Sequence, residues 1–371
     1  MSKKQKAVQI IKWGLIGVLS IAVIFILTVL IVHKASLSKE YGKLEKAGYV
    51  NKVSVGDYKL NVCTYGNENG KHKIVAMSGM NVNDYSVTIR QVTDAVADEN
   101  LIAIVDRAGY GLSDDTKKKQ TTEQIVEDYR TALKNAGIEP PYVLMPHSLG
   151  GVYATYWESV YPDEIEGVFM IDTSQLYEGD VFEDEFEIGI KEHLEVVCCK
   201  IGLQRLVYDK IFMPPALGLD STQKSYVKAL NLHHTYTNAK VSEAEYINDN
   251  CRTAYENIVK NEIPKVYICA SSSFETEEDV REYFEYANDK MTSAGSEPPY
   301  KSMLEADTFS EVAQNIVDAS KDFYEEITEP YIALLGNCDY VAIPGDHLIY
   351  EQKPDEVAKA LVEFLERVEE E

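Results

Sequence analysis

Apolar and polar positions run along this chain in two familiar rhythms, and one block fits neither. From Trp13 to Val32, 20 residues pass without a charge. At about 1.5 Å per residue, a helix of that length spans roughly 30 Å of hydrocarbon. The block is apolar all round, which does not suit a soluble helix with one wet face. Lys3, Lys4, Lys6 and Lys12 precede it, and only Lys34 and Lys39 follow closely. That bias predicts a single-pass protein of the cell membrane, with a cytoplasmic N-terminus and an extracellular domain. The competing reading is a cleaved signal peptide. It calls for a shorter apolar region and a small-x-small site, for which Ala35-Ser36-Leu37-Ser38 is a poor match. The pattern divides this region into a tail and anchor over 1–34 and a polar linker over 35–48.

Beyond residue 49 short apolar runs alternate with helical spacing. Val50–Leu60 and Asn61–Tyr65 read as two strands with a turn near Gly56-Asp57, and Lys73–Met77, Leu101–Asp106, Tyr142–Met145 and Glu166–Ile171 as further strands. Tyr85–Asn100, Thr121–Ala136 and Leu149–Tyr161 carry helical periodicity between them. This rhythm predicts an α/β fold with a mostly parallel sheet, helices on both faces and an antiparallel start. The rhythm breaks over 175–262, a charged helical stretch containing Pro214-Pro215, and resumes with a strand at Pro264–Ala270. Residues 274–328 are helical again, followed by a short strand at Tyr340–Ile343 and a closing helix at Pro354–Val368. The reading is a core over 49–174 and 263–371 with a helical lid over 175–262.

Composition narrows the chemistry. With 371 residues and 45% hydrophobic content, the chain can bury a full core. Net charge is −25, and residues 1–34 hold five lysines and no acid, leaving 31 basic against 61 acidic residues beyond them. So acidic a body repels nucleic acid. The six cysteines show neither C-x-x-C nor zinc-finger spacing, so no metal site is expected, and disulfides stay open. Phosphate-loop and dinucleotide motifs are absent, so no cofactor is expected.

Ser148 is the most informative position. It ends the apolar run Tyr142–Met145 and precedes Gly150-Gly151 and a helix, the way a strand turns sharply and lifts a hydroxyl to the tip of the turn. A serine capping a helix would leave the same local trace. Four segments in order make the chain resemble the α/β-hydrolase superfamily over about residues 50–368. Ser78-Gly79-Met80 stands where many members carry an oxyanion turn. Asp106–Ser113 resembles a D-x-R-G-x-G-x-S loop shortened by one. Pro146-His147-Ser148-Leu149-Gly150-Gly151 resembles the nucleophile elbow, with Pro146 in the place of its first glycine. Gly345-Asp346-His347, ahead of Pro354-Asp355-Glu356-Val357, resembles the C-terminal histidine loop.

The resemblance implies a serine hydrolase with Ser148 as nucleophile, His347 as base and the backbone N–H groups of Met80 and Leu149 as oxyanion donors. His147 is expected to point away from the Ser148 side chain. The orienting acid is open between Asp172, which ends the strand before the lid and is favoured, and Glu275, Glu277 or Asp279 after the lid. Asp106 and Arg107 are expected to brace loops. Phe182, Phe186, Ile190, Leu194 and Val197 are candidates for an acyl pocket or for plain lid packing. A serine in place of an aspartate argues against epoxide hydrolase or haloalkane dehalogenase chemistry. The expected substrate is a small-molecule or lipid ester. The alternatives are a peptidase or amidase of the same fold, or a hydrolase-like ectodomain that only binds. Oligomeric state is not readable.

Overall fold

A computed structural model of the protein describes residues 3–179, 181–182, 189–212 and 214–370. The chain begins with one helix of 44 residues, Lys3–Lys46, whose side chains from Val8 to Val32 are largely exposed. It is the one described helix long and apolar enough to cross a membrane. The polar stretch read as a linker continues this helix to Lys46. Its end is fixed by Gly48 at φ +81°, with Gly48 N–H bonded to Glu45 O and Tyr49 N–H to Leu44 O at 3.0 Å, a left-handed stop that leaves Leu44 and Tyr49 buried against the domain.

Eight strands follow: β1 Lys52–Ser54, β2 Lys59–Gly66, β3 Lys73–Met77, β4 Leu101–Asp106, β5 Tyr142–Pro146, β6 Ile165–Ile171, β7 Lys265–Cys269 and β8 Cys338–Ala342. They form one sheet in the order β1-β2-β4-β3-β5-β6-β7-β8. The first two pairings, β1 with β2 and β2 with β4, are antiparallel, and the rest are parallel. Parallel strands covered on both faces must be apolar throughout, and β4, β5 and β7 are buried at every position.

Side-chain alternation sends each strand to two cores. Leu144 and Met170 join the face covered by the helices Thr122–Asn135 and Gly150–Val160. Val143 and Ile171 join the face covered by Val357, Leu361 and Phe364 of the Pro354–Glu370 helix. Trp157 anchors the first face, fully buried beside Tyr129 and Tyr142, with its Nε1 donating to Glu164 at 2.8 Å.

Two segments depart from the sequence reading. The Ile247–Glu256 helix, placed in the lid by the boundary at 262, packs on Thr122–Asn135 and Gly150–Val160 through Ile247, Cys251 and Ala254, and so covers the sheet. Residues between β7 and β8 build a separate helical unit on Glu277–Ser293 and Phe309–Phe323, with its own cluster of Phe274, Val280, Phe284, Phe309 and Ala313.

Trp157→Ala should lower stability by roughly 3–5 kcal/mol, the usual cost of emptying a large aromatic site in a core. An unfolding free energy from urea titration within about 1 kcal/mol of wild type would show that this side chain does not anchor the first face.

Candidate active site

The parallel strands end along one rim, and the turns after β5 and β6 shape it. Ser148 follows β5 with φ +53°, and Asp172 follows β6 with φ +43°. Of the four described non-glycine residues with left-handed φ, these two and Asn81 (φ +61°) gather at this rim. Such backbone costs of order 1 kcal/mol or more per residue and persists only where surroundings impose it. Around Ser148 they do. Its N–H meets Ile171 O at 3.3 Å, and its carbonyl accepts from Gly151 and Ser174 at 2.9 and 3.1 Å. A Cβ on Gly150 would come within 2.6 Å of Met77 O, and one on Gly151 within 2.4 Å of Thr173 Cβ. The two glycines are therefore required by close approach. Pro146 is accommodated as the last residue of β5, where the next N–H, that of His147, makes the bond to Met77 O at 2.9 Å.

His347 stands beside this turn. Its Nδ1 donates to Asp172 Oδ2 at 2.7 Å. Asp172 is 5% exposed, and three further donors hold it: Ala270 N–H at 2.7 Å, the Ser271 hydroxyl at 2.7 Å and Ser271 N–H at 3.2 Å. Burial alone would raise the Asp172 pKa. The hydrogen bond and charge of the His347 imidazole, with the Ala270 and Ser271 donors, outweigh burial and hold the carboxyl below its usual range. For His347 burial disfavours the cation, but the bond to Asp172 and its negative charge win, and the pKa lies above the ordinary histidine value.

Among the four acids considered, the structure brings Asp172 to the imidazole. Glu277 instead binds Arg281 at 3.1 Å and Ser310 at 2.7 Å, Asp279 caps its own helix through Thr276, and Glu275 is exposed. Two of the serines that follow β7 shape this turn. Ser271 donates to Asp172, and the Ser273 hydroxyl closes the turn on Cys269 O at 2.7 Å.

Ser148, His347 and Met80 line one cavity of about 990 Å³. The Ser148 hydroxyl has no hydrogen-bond partner among the described residues, which is common where the bond to a base tightens only with substrate. The backbone N–H groups of Met80 and Leu149 also meet no carbonyl among the described residues, although Leu149 is 1% exposed. Gly79 lets this turn approach, since a Cβ there would lie 2.8 Å from Ser148 Cβ.

Asp106 and Arg107 brace loops, as the sequence suggests, whereas Glu243 and the partner of His147 have no signature in it. His147 also lines this cavity, and its Nε2 bonds the His347 carbonyl at 3.0 Å. A carbonyl only accepts, so Nε2 carries the proton, and burial keeps the ring neutral with a pKa lowered to about 3. Arg107 braces the Ser78-Gly79 turn, donating to the carbonyls of Ser78 and Gly79, while its Nε pairs with Glu243 at 2.8 Å with both side chains 2% exposed. Glu243 lies on the Asn238–Glu245 helix and also accepts from Tyr153 at 2.8 Å and from Tyr110. Asp106 holds its own loop, accepting from Leu112 N–H at 2.9 Å.

The proposed acyl-pocket residues are corrected. Phe182 packs at the edge of the core, Phe186 lies outside the described residues, and Ile190, Leu194 and Val197 are 81, 57 and 51% exposed. The apolar lining comes from Leu203, Leu206, Val207, Phe212, Pro214 and Pro215. Sequence periodicity marks an apolar stripe but not which way it faces.

No protein-family profile matches the chain. It is 25% identical to the uncharacterized protein YbdG of Bacillus subtilis over 97% of this chain and 98% of that one. Solved structures similar to it include an enol-lactonase from Burkholderia xenovorans (14% identity, TM-score 0.54, covering 85% of this chain and 99% of that one). A haloalkane dehalogenase loop variant from Bradyrhizobium elkanii is also similar (11% identity, TM-score 0.55, covering 86% and 96%). The protein has the α/β-hydrolase fold.

The Asp172 charge is what lifts His347. In a proton NMR titration, with the His347 ring signal assigned by its loss in His347→Gln, the wild-type midpoint should lie above the ordinary histidine value. In Asp172→Asn it should fall below that of wild type, because burial then acts without the carboxylate. An unchanged midpoint would show that the two groups are not coupled.

Proposed function

We propose that this protein is a membrane-anchored serine hydrolase that cleaves a carboxylic ester through an acyl-enzyme on Ser148. The observation that carries the reading is the 2.7 Å bond between Asp172 and His347 at the cavity that Ser148 lines. With Nδ1–H committed to Asp172, the neutral imidazole presents Nε2 as a base. A serine hydroxyl needs such a base, and a base whose pKa lies near neutrality serves best.

In the proposed reaction His347 takes the Ser148 proton as Oγ bonds to the ester carbonyl carbon. The negative charge that develops on the carbonyl oxygen falls to the N–H groups of Met80 and Leu149. Collapse breaks the ester C–O bond, and His347 returns the proton to the leaving alcohol. Water then loses a proton to His347 as it attacks the acyl carbon; collapse breaks the bond to Ser148 Oγ, His347 returns the proton to Oγ, and the acid leaves. Asp172 stays ionised throughout and stabilises the imidazolium. The enol-lactonase neighbour acts, by its name, on a cyclic ester, which suits this chemistry. A serine oxygen at the elbow, in place of a carboxylate, turns the reading away from the dehalogenase neighbours. The N-terminal helix supplies the anchor, and the lysines before it favour a cytoplasmic tail with the catalytic domain outside.

A fluorophosphonate probe tests the nucleophile directly. Wild type should be labelled on Ser148, with Ser148→Ala blank and His347→Gln slowed by at least about 10³-fold. A folded wild type that resists the probe, or equal labelling of Ser148→Ala, would sink the proposal.

A further inference from the structure

The lid is fastened to the N-terminal helix where that helix's apolar run stops. Val32 is 56% exposed, and the next residue, His33, is 2% exposed. Gly202 covers it so closely that a Cβ there would lie 2.4 Å from the His33 side chain. Arg205 then closes the joint. Its Nε donates to His33 Nδ1 at 2.7 Å, and its two terminal nitrogens hold Glu40, about two turns further along the same helix, at 2.8 and 2.6 Å. The lid segment at 202–205 is thus level with the end of the charge-free helix.

The next two residues are apolar and uncovered. Leu206 is 61% and Val207 41% exposed, and both line the cavity that contains Ser148 and His347. They form a greasy rim at its mouth. Ile190, Leu194 and Val197, spaced i, i+4, i+7 on the Ile190–Ile201 helix that leads into Gly202, leave a second uncovered apolar stripe on the same lid. The wall further in is polar, with Asp84, Asn231 and the Lys290–Glu351 ion pair at 2.8 Å. An apolar mouth and a polar inner wall suit an amphiphile.

We propose that the Leu206–Val207 rim lies in the interface of the bilayer crossed by the N-terminal helix, so that the cavity draws a lipid acyl ester directly from that membrane. The proposal rests on reading residues 13–32 as a span and the cavity as the substrate site. Its occupant is the host bilayer because the rim adjoins the strap that meets the helix at His33. Membrane insertion of apolar side chains at this depth follows from the same transfer free energy that holds the span.

The protein has two tryptophans, Trp13 and the buried Trp157. In a Trp13→Phe background, Val23→Trp reports the span and Leu206→Trp the rim. Full-length protein goes into vesicles whose lipids carry bromine either near the headgroup or near the bilayer centre. The expected result is Val23→Trp quenched most by deep bromines, and Leu206→Trp blue-shifted and quenched most by shallow ones. Quenching of Val23→Trp with a water-like, unquenched Leu206→Trp would overturn the rim and leave the span standing. No quenching at Val23 would remove the span and the proposal together. For the substrate class, Leu206→Glu should lower by at least tenfold the ratio of labelling rates between a long-chain fluorophosphonate dissolved in the bilayer and a short aqueous one. An unchanged ratio would overturn uptake from the membrane. An unlabelled wild type would end the hydrolase reading, and the substrate assignment with it.

Discussion

One carboxylate holds this site together. Asp172 is buried at the end of β6, in a backbone conformation that a non-glycine residue rarely keeps. An ionised acid there would be expensive without partners. Its surroundings supply them from two directions, the end of β7 through Ala270 and Ser271, and the loop after β8 through His347. The three parallel strands β6, β7 and β8 are therefore joined at their carboxyl ends by hydrogen bonds to one side chain. The same bonds fix the tautomer of His347, and His147 fixes its backbone from below. Structure and chemistry are coupled here because the group that stabilises the rim is the group that would make the imidazole a base.

The strand-and-helix rhythm, the elbow at Ser148 and the histidine at 347 were readable because each is local. Alternation fixes a strand, two crowded glycines fix a turn, and a motif fixes a place in the order. The identity of the acid was readable only as a choice, because whether Asp172 or an acid after β7 reaches the imidazole depends on which strands are neighbours. The sheet order places β6 and β7 side by side, which makes Ser271, just after β7, a donor for Asp172. The link from Arg107 to Glu243 spans 136 positions and has no local signature. The lid failed for the same reason. An apolar i, i+4, i+7 stripe at Ile190, Leu194 and Val197 says that one face is greasy, but the fold turns that face outward and lines the cavity with residues from the following turn.

Polarity alone assigns residues 35–48 to a solvated linker. They form helix instead because Leu44 and Tyr41 pack on the domain and Glu40 binds Arg205. This helical extension beyond the apolar run carries the contacts to Arg205 and Gly202. The Ser78-Gly79 turn, the helical insertion and the N-terminal helix are each tied down by buried contacts. The Asn238–Glu245 helix grips Arg107, Arg107 braces the carbonyls of Ser78 and Gly79, and Gly202 and Arg205 grip His33.

The claim that Asp172 makes His347 a base for Ser148 is most directly tested by the pH dependence of fluorophosphonate inactivation in wild type and Asp172→Asn. Reaction requires the neutral imidazole, so the rate should rise with pH through the elevated pKa of His347. In Asp172→Asn the rise should move to lower pH while the plateau falls by about 10⁴-fold, as expected when an imidazole loses its orienting carboxylate. Coincident profiles of equal height would contradict the account.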